Sequence, residues 1–492
     1  MKMRIKISLL ILALFVQFSC TDWLEREPQE GLIREEFWKT KEDVESVIMG
    51  AYSSFRNDLH SNLFKYGELR GDMLKGDINQ AGNERQLMES TIYPENWLCN
   101  WQNFYKVINY CNEIIYYIPE VQANDKTFTD YIRDGFLSEA YFLRSLSYFY
   151  LVRIFKDVPL VLEPTITDAS FVYPEKSTED EVLDKIMADL QQARNWATID
   201  GYRTIPEVKG RATKGAIDAL IADIALWRFD YETCITHVGY IEQSRAYSLM
   251  PQNRWFELFY PGNTLEGIFE FQFNQSLGQS NGLVGLTDLN SKNYLPSNYA
   301  VEIFSKKTNS EEAVRGEDAS IAKVGLDEFI IWKFLGLRPD GRTERSGTTR
   351  NSCNWIVYRY ADVLLMKAEA LSQLGRYPEA YAILNEVRTK RGISSTPVPA
   401  SSPVAYEDFI LEERCKELAF EGKRWFDLMR MGRRNNYSRK SVLIDIMVRN
   451  VPSTQKRIIQ TKLTNPLSWY LPIYKSELER NKNLVQNPYY NF

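Results

Sequence analysis

Histidine is nearly absent from this sequence of 492 residues, in which only His60 and His237 occur. Neither lies at metal-ligand spacing from a cysteine, so we predict no zinc site, and we expect no cofactor. Cysteine is also sparse. Five cysteines follow Cys20 singly, without a CxxC pair, and in so long a chain they are expected to be buried apolar residues, not a disulfide framework: Cys99, Cys111, Cys234, Cys353 and Cys415.

The chain also lacks a block of Lys and Arg that could follow a phosphate backbone. Its 60 basic and 65 acidic residues give a net charge of −5, so nucleic acid is a poor candidate partner. No GxSxG, HExxH or glycine-rich phosphate loop occurs. We predict that the protein is not an enzyme. A glycoside hydrolase with paired carboxylates remains an alternative, because acidic pairs occur along the whole chain.

The first twenty residues have the pattern of an export signal. The apolar stretch from Ile7 to Phe18 is shorter than the roughly 20 residues that span a bilayer. Ser19 precedes Cys20 as at a lipoprotein cleavage site, although Gln17 stands where Leu is usual. We predict a signal peptide over residues 1–19 and a lipid on Cys20; an ordinary secretory signal with a chance cysteine is the alternative. No later apolar run is long enough to cross a membrane.

Apolar residues recur with a helical period over much of the chain. In residues 42–56 they share one face, with Thr40 as a plausible N-cap: Val44, Val47, Ile48, Ala51, Tyr52 and Phe55. The same period predicts further helices over 97–118, 131–155, 179–196 and 211–228.

Two segments have the spacing of tetratricopeptide units. Ala368 precedes Ala380 by twelve residues, and Ala222 precedes Cys234 by twelve. Small residues at these positions let the two helices of a unit approach each other. Because one pair cannot bury its apolar face alone, neighbouring pairs must share a core. We predict a mostly α fold, a helical-repeat scaffold with a few short strands, and repeats over 40–240 and 356–432.

Two stretches break this regularity. Residues 250–355 are rich in turn dipeptides and contain one strand candidate, Ile268–Phe273, and residues 57–96 are also expected to be loops. Long irregular segments on a regular scaffold are where binding residues tend to lie. The many aromatic residues, 29 Tyr, 25 Phe and 11 Trp, suit ligands such as sugars, whose C–H faces stack on rings.

Several motifs, in order along nearly the whole chain, resemble the SusD/RagB family of surface lipoproteins. They begin with the Cys20 signal and continue with Phe37–Asp43, Trp101–Asn112, Glu139–Arg144, Asp157–Leu160, Arg359–Ala370, Glu413–Leu418, Glu421–Leu428 and Asn487–Tyr490. One departure is Lys156, where the family often has Gly before Asp-Val-Pro, and we expect the turn there not to be left-handed.

The resemblance implies one SusD-like domain over residues 20–492, with a loop-rich ligand face in 250–355 and a C-terminal segment over 437–492. It implies an outer-membrane, cell-surface location through the lipid on Cys20, and a SusC-like TonB-dependent transporter as partner. Family ligands are usually oligosaccharides, or peptides in the RagB branch. A scaffold that grips a partner protein without any soluble ligand is a further alternative.

The charged residues of these motifs allow two interpretations. They lie on amphipathic helices and could form a carboxylate-rich active site, but we interpret them as interhelical ion pairs that fix the stacking: Arg359, Asp362, Glu369, Glu413, Arg414, Glu417, Glu421, Arg424 and Asp427.

Ligand contacts must therefore come from residues that the family does not fix. Sugar recognition needs an exposed ring beside planar polar groups. One predicted cluster precedes the Trp101 helix and consists of Arg70, Asp72, Asp77, Tyr93 and Trp97. The second lies in the insertion and consists of Asn274, Gln275, Asn293, Tyr294, Asn298 and Tyr299, with Trp332 and Trp355 as weaker candidates.

Overall fold

The computed structural model describes residues 37–76, 82–166, 172–197, 202, 204–287, 293–308, 310–326, 328–338 and 340–491. The first half is a run of helices: α1 (Lys41–Ser54), α2 (His60–Glu68), α3 (Gly82–Met88), α4 (Gln102–Asn124), α5 (Asp130–Phe155), α6 (Glu179–Trp196), α7 (Ile205–Gly210), α8 (Lys214–Trp227) and α9 (Tyr231–Ser244). The second half adds α10 (Leu283–Thr287), α11 (Asn298–Phe304), α12 (Tyr360–Gln373), α13 (Tyr377–Lys390), α14 (Pro403–Glu417), α15 (Arg424–Tyr437), α16 (Lys440–Met447), α17 (Ser453–Leu463) and α18 (Lys475–Arg480).

Neighbouring helices stack pairwise into one array. α1 packs on α4, α4 on α5, α5 on α6, α8 on α9, and α9 on α12, which then packs on α13 and α14. The small residues of both predicted repeat units are fully buried at these contacts: Ala222, Cys234, Ala368 and Ala380. The predicted helical-repeat scaffold is therefore confirmed.

The predicted helices are found with small shifts at their ends. The first spans Lys41–Ser54, and the Asp43 carboxylate accepts a 2.7 Å hydrogen bond from the Thr40 backbone N–H, so the predicted cap is present. The prediction over 97–118 splits into a 3₁₀ turn at Trp97–Cys99 and the helix Gln102–Asn124. Helix ends are the least certain part of such a prediction, since a cap rather than the apolar period sets them.

The prediction of loops over 57–96 is wrong for much of that stretch. A π-helical turn at Phe55–Leu59 leads directly into α2, and α3 follows at Gly82–Met88. α2 is only nine residues long and contains Gly67, a poor helix former, so its sequence gives little signal for a helix. A Cβ at Gly67 would lie 1.9 Å from the Gly422 carbonyl oxygen, so only glycine fits where α2 meets that loop.

Three two-stranded antiparallel pairs interrupt the helices. β1 (Leu74–Gly76) pairs with β3 (Tyr294–Pro296), β4 (Ile321–Lys323) pairs with β5 (Phe329–Ile331), and β2 (Gly267–Phe271) pairs with β6 (Trp355–Arg359). The predicted strand Ile268–Phe273 corresponds to β2, shifted toward its N-terminus. Both β2 and β6 are buried along their whole length, and they connect the insertion to the repeats.

Buried ion pairs connect the helices of the second half, as the motif residues predicted. Arg359 contacts Glu266 and Glu417, each at 2.7 Å, and Glu421 at 2.8 Å. Other pairs in the same interior are Arg391–Glu417, Arg315–Glu413, Arg414–Asp427, Arg414–Asp362 and Arg430–Glu369. These carboxylates are paired with arginine inside the scaffold, which is the arrangement expected of register-fixing contacts.

The five scattered cysteines are free and buried, as predicted. Lys156 ends α5 at φ 73° and ψ −90°. This conformation lies outside the left-handed helical region, as expected, but the positive φ that a glycine would accept is kept.

The C-terminal segment folds back onto the first half. The Leu471 backbone N–H donates to the Ile154 carbonyl at 2.8 Å, and the Lys475 N–H donates to the Pro94 carbonyl at 3.0 Å. Trp469, Tyr470 and Leu471 are buried in this contact.

Candidate ligand-binding site

The pairing of β1 with β3 joins the two stretches of chain from which the predicted ligand clusters come. Gly76 is paired with Tyr294, and Lys75 with Leu295. Because the strands are antiparallel, the chain beyond Gly76 and the chain before Tyr294 leave the same end of the pair. Asp77 lies outside the described residues. The remaining candidates fall into three groups: buried, partly exposed around this pair, and exposed farther along the loops.

Arg70 and Asp72, two of the predicted ligand residues, are buried in the scaffold, where each is 2% exposed. Arg70 donates to the carbonyls of Ser468, at 2.8 Å, and Trp469, and its guanidinium lies 4.3 Å from the Trp425 ring centroid. Asp72 accepts two hydrogen bonds from Arg424, at 2.7 and 3.1 Å. Sequence chemistry cannot distinguish such residues from binding residues, because both need planar polar groups.

Three aromatic candidates are core residues. Tyr294 is 2% exposed and its ring packs 5.6 Å from that of Phe64. Trp332 and Trp355 are each 2% exposed. Since none of them presents a ring face to solvent, we remove all three from the candidate site.

Asp72 contacts Arg449 and Asn450, two neighbouring residues that face solvent. Its Oδ2 lies 3.1 Å from Arg449 Nη1, and the Arg449 guanidinium lies 3.8 Å from the ring centroid of Tyr299. Asn450 Nδ2 donates to the Asp72 carbonyl at 2.6 Å. Arg449 is exposed, whereas Tyr299 is half-buried. The carboxylate thus fixes a cation on a tyrosine face at the surface.

A groove of about 490 Å³ lies beside this pair. β1 and α3 form one wall, and the end of α16, the following turn and α17 form the other. Apolar side chains line its floor and polar ones its rim: Leu69, Leu74, Met88, Met447, Val451, Pro452 and Ile459, with Lys75, Arg85, Glu89, Asn450 and Gln455. An apolar floor with a few polar groups is typical of ligand grooves.

Arg449 and Asn450 are the residues that sequence reasoning missed. They lie in the turn between α16 and α17, within the 437–492 segment, where we identified no candidate. The sequence signal for them would have been an Arg-Asn pair between two helices. Because such polar pairs are common in turns, the signal does not indicate a binding site.

Tyr93 and Trp97 lie near the other side of α3. Tyr93 is 55% exposed, and its N–H donates to Gln86 Oε1 at 3.3 Å. Trp97 is 38% exposed, with Lys65 Nζ 4.6 Å from its ring centroid. Lys65 is itself paired with Glu84 at 3.1 Å. Tyr93 is thus the more exposed of the two rings, and Trp97 has the Lys65 ammonium over one face.

The polar candidates of the insertion remain near the surface. Asn274 and Asn298 are exposed, whereas Gln275 and Asn293 are half-buried. Gln275 Oε1 accepts a 2.9 Å hydrogen bond from the Asn351 N–H, which ties it to the neighbouring loop. Asn298 precedes Tyr299 at the start of α11, so it is the polar candidate nearest to the Arg449–Tyr299 pair along the chain.

A second cavity, of about 400 Å³, lies between α4 and α18. Its walls include Trp101, Tyr105 and Tyr173, and it is lined by none of the predicted binding residues that the structure describes, which is also true of the 490 Å³ groove. Within the part of the chain that the structure describes, no helix is long and apolar enough to cross a membrane.

The stacked helix pairs define a tetratricopeptide-like helical-repeat protein, with the groove between β1 and α3 on one side and α16 and α17 on the other. Residues 305–490 match the model of the SusD family, and residues 22–226 match a model described as starch-binding and associating with the outer membrane. The chain belongs to the SusD/RagB family.

Relatives match almost end to end. SusD-like protein P38 of Formosa agariphila is 27% identical, with 98% of each chain covered, and SusD-like protein P2 of the same organism is 25% identical, with 98% of this chain and 99% of the relative covered. A SusD superfamily structure from Bacteroides vulgatus superimposes with a TM-score of 0.75 at 20% identity, over 92% of this chain and 100% of that one. One from Bacteroides thetaiotaomicron gives 0.73 at 22%, over 92% and 99%.

Proposed function

We propose that this protein binds an oligosaccharide nutrient at the cell surface and delivers it, unchanged, to a SusC-like TonB-dependent transporter. The observation that carries the proposal is the 490 Å³ groove, whose lining residue Asn450 directly follows the Arg449 that contacts Tyr299, in a chain of the SusD/RagB family. The Arg85 guanidinium and the amide groups of Asn450 and Gln455 around an apolar floor suit a ligand that has both hydroxyl groups and C–H faces.

The charged motifs support binding without catalysis. A glycoside hydrolase needs two carboxyl groups that reach the substrate from opposite sides of the scissile bond. Glu413, Glu417 and Glu421 are instead buried and ion-paired with Arg315 and Arg359. These carboxylates therefore stabilise the packing of the helices and do not face a substrate.

The first test is affinity electrophoresis of the purified protein in gels that contain a panel of polysaccharides. We expect retardation by at least one polysaccharide and no new reducing ends after incubation. Tyr299→Ala should weaken binding by about fivefold, since a lost ring contact costs on the order of 1 kcal/mol. Tyr173→Ala, which alters the second cavity, is the matched control and should bind normally.

Three results would contradict the proposal. Release of sugar would identify a hydrolase. Binding of peptides alone would place the protein in the RagB-like branch. Loss of binding in Tyr173→Ala with normal binding in Tyr299→Ala would move the site to the second cavity.

Delivery requires a transporter partner and a membrane anchor. We expect a TonB-dependent barrel to be recovered with the protein from detergent-solubilised membranes. Cys20, which lies outside the described residues, is the proposed lipid site. Cys20→Ala should release the protein from membranes with unchanged thermal stability, and a Cys20→Ala protein that stays membrane-bound would contradict the anchor.

A further inference from the structure

The segment that forms one wall of the groove has a charge opposite to that of the whole chain. Residues 439–463 contain six basic residues and one acidic residue, a net charge of +5, in a chain whose net charge is −5. Only Arg439 among the six forms ion pairs with acidic residues outside the site, Glu407 and Asp408, both at 2.6 Å. The positive charge is therefore concentrated in the turn before α17 and on α17 itself.

Two of these cations lie next to groove residues along the chain, Arg449 before Asn450 and Lys462 one turn after Ile459, and two further cations line the opposite wall. Lys75 on β1 and Arg85 on α3 line the groove directly. Lys462 lies one helical turn after the groove residue Ile459, and it interacts electrostatically with Glu89 across the groove. Of the described residues that line the groove, Glu89 is the one with an acidic side chain.

Arg449 adds a cation whose position is fixed. The Asp72 carboxylate accepts two hydrogen bonds from Arg424, and its Oδ2 also lies 3.1 Å from Arg449 Nη1. One carboxylate therefore faces two guanidinium groups, and a positive charge remains. Tyr299 lies against one face of the Arg449 guanidinium, so the N–H groups at its edge can donate to a planar anion.

We propose that the glycan bound in this groove is anionic and carries carboxylate or sulfate groups. This inference rests on the proposed function and narrows its ligand class. The apolar floor would contact the C–H faces of the sugar rings, while Arg449, Lys75 and Lys462 would contact the acidic groups along the polymer. Attraction of this kind raises affinity at low salt and weakens as salt screens the charges.

An anionic membrane is an alternative ligand for the basic surface of α17. Lys456 and Arg457 are on this helix but outside the groove lining. We favour the glycan because Lys75 and Arg85 line a groove and Arg449 directly precedes its lining residue Asn450, whereas a membrane-binding helix presents its cations on one open face.

The test compares each acidic polysaccharide with a neutral form of the same polymer. Calorimetry would use uronate polymers and their methyl esters, sulfated polymers and their desulfated forms, and uncharged glucans, mannans and xylans. We expect at least one acidic form to bind tenfold or more tightly than its neutral form, and its affinity to fall at least fivefold between 50 and 500 mM NaCl.

Matched charge variants assign the effect to the groove. Lys75→Gln/Arg449→Gln/Lys462→Gln should lose at least tenfold in affinity for the acidic polymer. Lys456→Gln/Arg457→Gln removes charge from the same helix and should lose less than threefold. Far-ultraviolet circular dichroism and melting curves confirm that both variants fold; if the triple variant does not, the three single variants replace it.

The outcomes separate the two proposals. Binding of uncharged polysaccharides only would overturn the anionic ligand and leave the proposed function intact. Binding of no polysaccharide at all would contradict the proposed function. Binding of phosphatidylglycerol vesicles without any acidic glycan, with loss of that binding in Lys456→Gln/Arg457→Gln, would assign the basic surface to a membrane.

Discussion

Single residues in the buried ion network carry a large share of the stability of the second half. Glu417 is fully buried and contacts Arg359, Arg391 and Arg315. Glu417→Gln leaves those guanidinium groups short of one negative charge, and we expect a loss of about 3–5 kcal/mol in the free energy of unfolding. Glu412→Gln, an exposed change on the same helix, should cost less than about 0.5 kcal/mol. Urea denaturation at pH 7 measures both.

The same network predicts how stability depends on pH. Burial raises the pKa of Glu417, but Arg391, Arg359 and Arg315 outweigh it and hold the pKa well below its usual range. A pKa that is lower in the folded state than in the unfolded state stabilises the protein above the unfolded value and loses that contribution on acidification. The difference between wild type and Glu417→Gln should therefore shrink below about pH 4.5, by about 1.4 kcal/mol per pH unit. A difference that stays constant down to pH 3 would contradict this.

Lys156 stands where the backbone favours glycine. Its φ of 73° and ψ of −90° are sparsely populated for a residue with a Cβ, and such strain costs on the order of 1–3 kcal/mol. Lys156→Gly removes the strain but adds freedom to the unfolded chain, so we expect a net gain of about 1 kcal/mol. Lys156→Ala keeps the Cβ and is expected to give no gain. Equal stability of the two variants in thermal melts would show that the turn is not strained.

At the scale of elements, small residues at the helix contacts set how closely the repeats pack. Ala380 on α13 is fully buried, whereas Ala382 on the same helix is exposed. Ala380→Leu must push α13 away from α12 and should cost about 1–3 kcal/mol. Ala382→Leu should change the free energy of unfolding by less than about 0.5 kcal/mol. Similar costs for both would contradict tight packing at Ala380.

The elements that sequence predicted are those with a strong local pattern. The helix around Val44 has a buried face repeated every three or four residues, and the helices around Leu143 and Ile217 are long apolar stretches buried on nearly all sides. α2 could not be predicted in this way, because its burial comes from contacts with residues far along the chain, such as Gly422. The groove was only partly predictable for the same reason. Tyr299 has recognisable sugar-binding chemistry, but its partner Arg449 becomes visible only when β1, α11 and the α16–α17 turn meet.

At the scale of the whole molecule, the two ends of the described chain share one core. Arg70 in the first half donates to the carbonyl of Ser468, at 2.8 Å, and to that of Trp469, while Trp469 itself is buried and donates its indole N–H to the Leu463 carbonyl at 3.0 Å. Along the chain, the groove wall formed by α16, α17 and the turn that contains Arg449 lies between α15 and the contacts of Ser468 and Trp469 with Arg70. The groove therefore exists only while the C-terminal segment stays docked.

Trp469→Ala tests whether that docking is part of one cooperative unit. Removing the buried indole should cost about 3–5 kcal/mol. Because Arg70 and Ile154 both contact the segment, we expect hydrogen-exchange protection to fall together in α4, α5 and α12, not in the C-terminal segment alone. Val485→Ala, at an exposed position of the same segment, is the control and should leave protection unchanged. If Trp469→Ala lowers protection only in residues 440–491, the segment unfolds independently, and the groove would open without unfolding of the repeats.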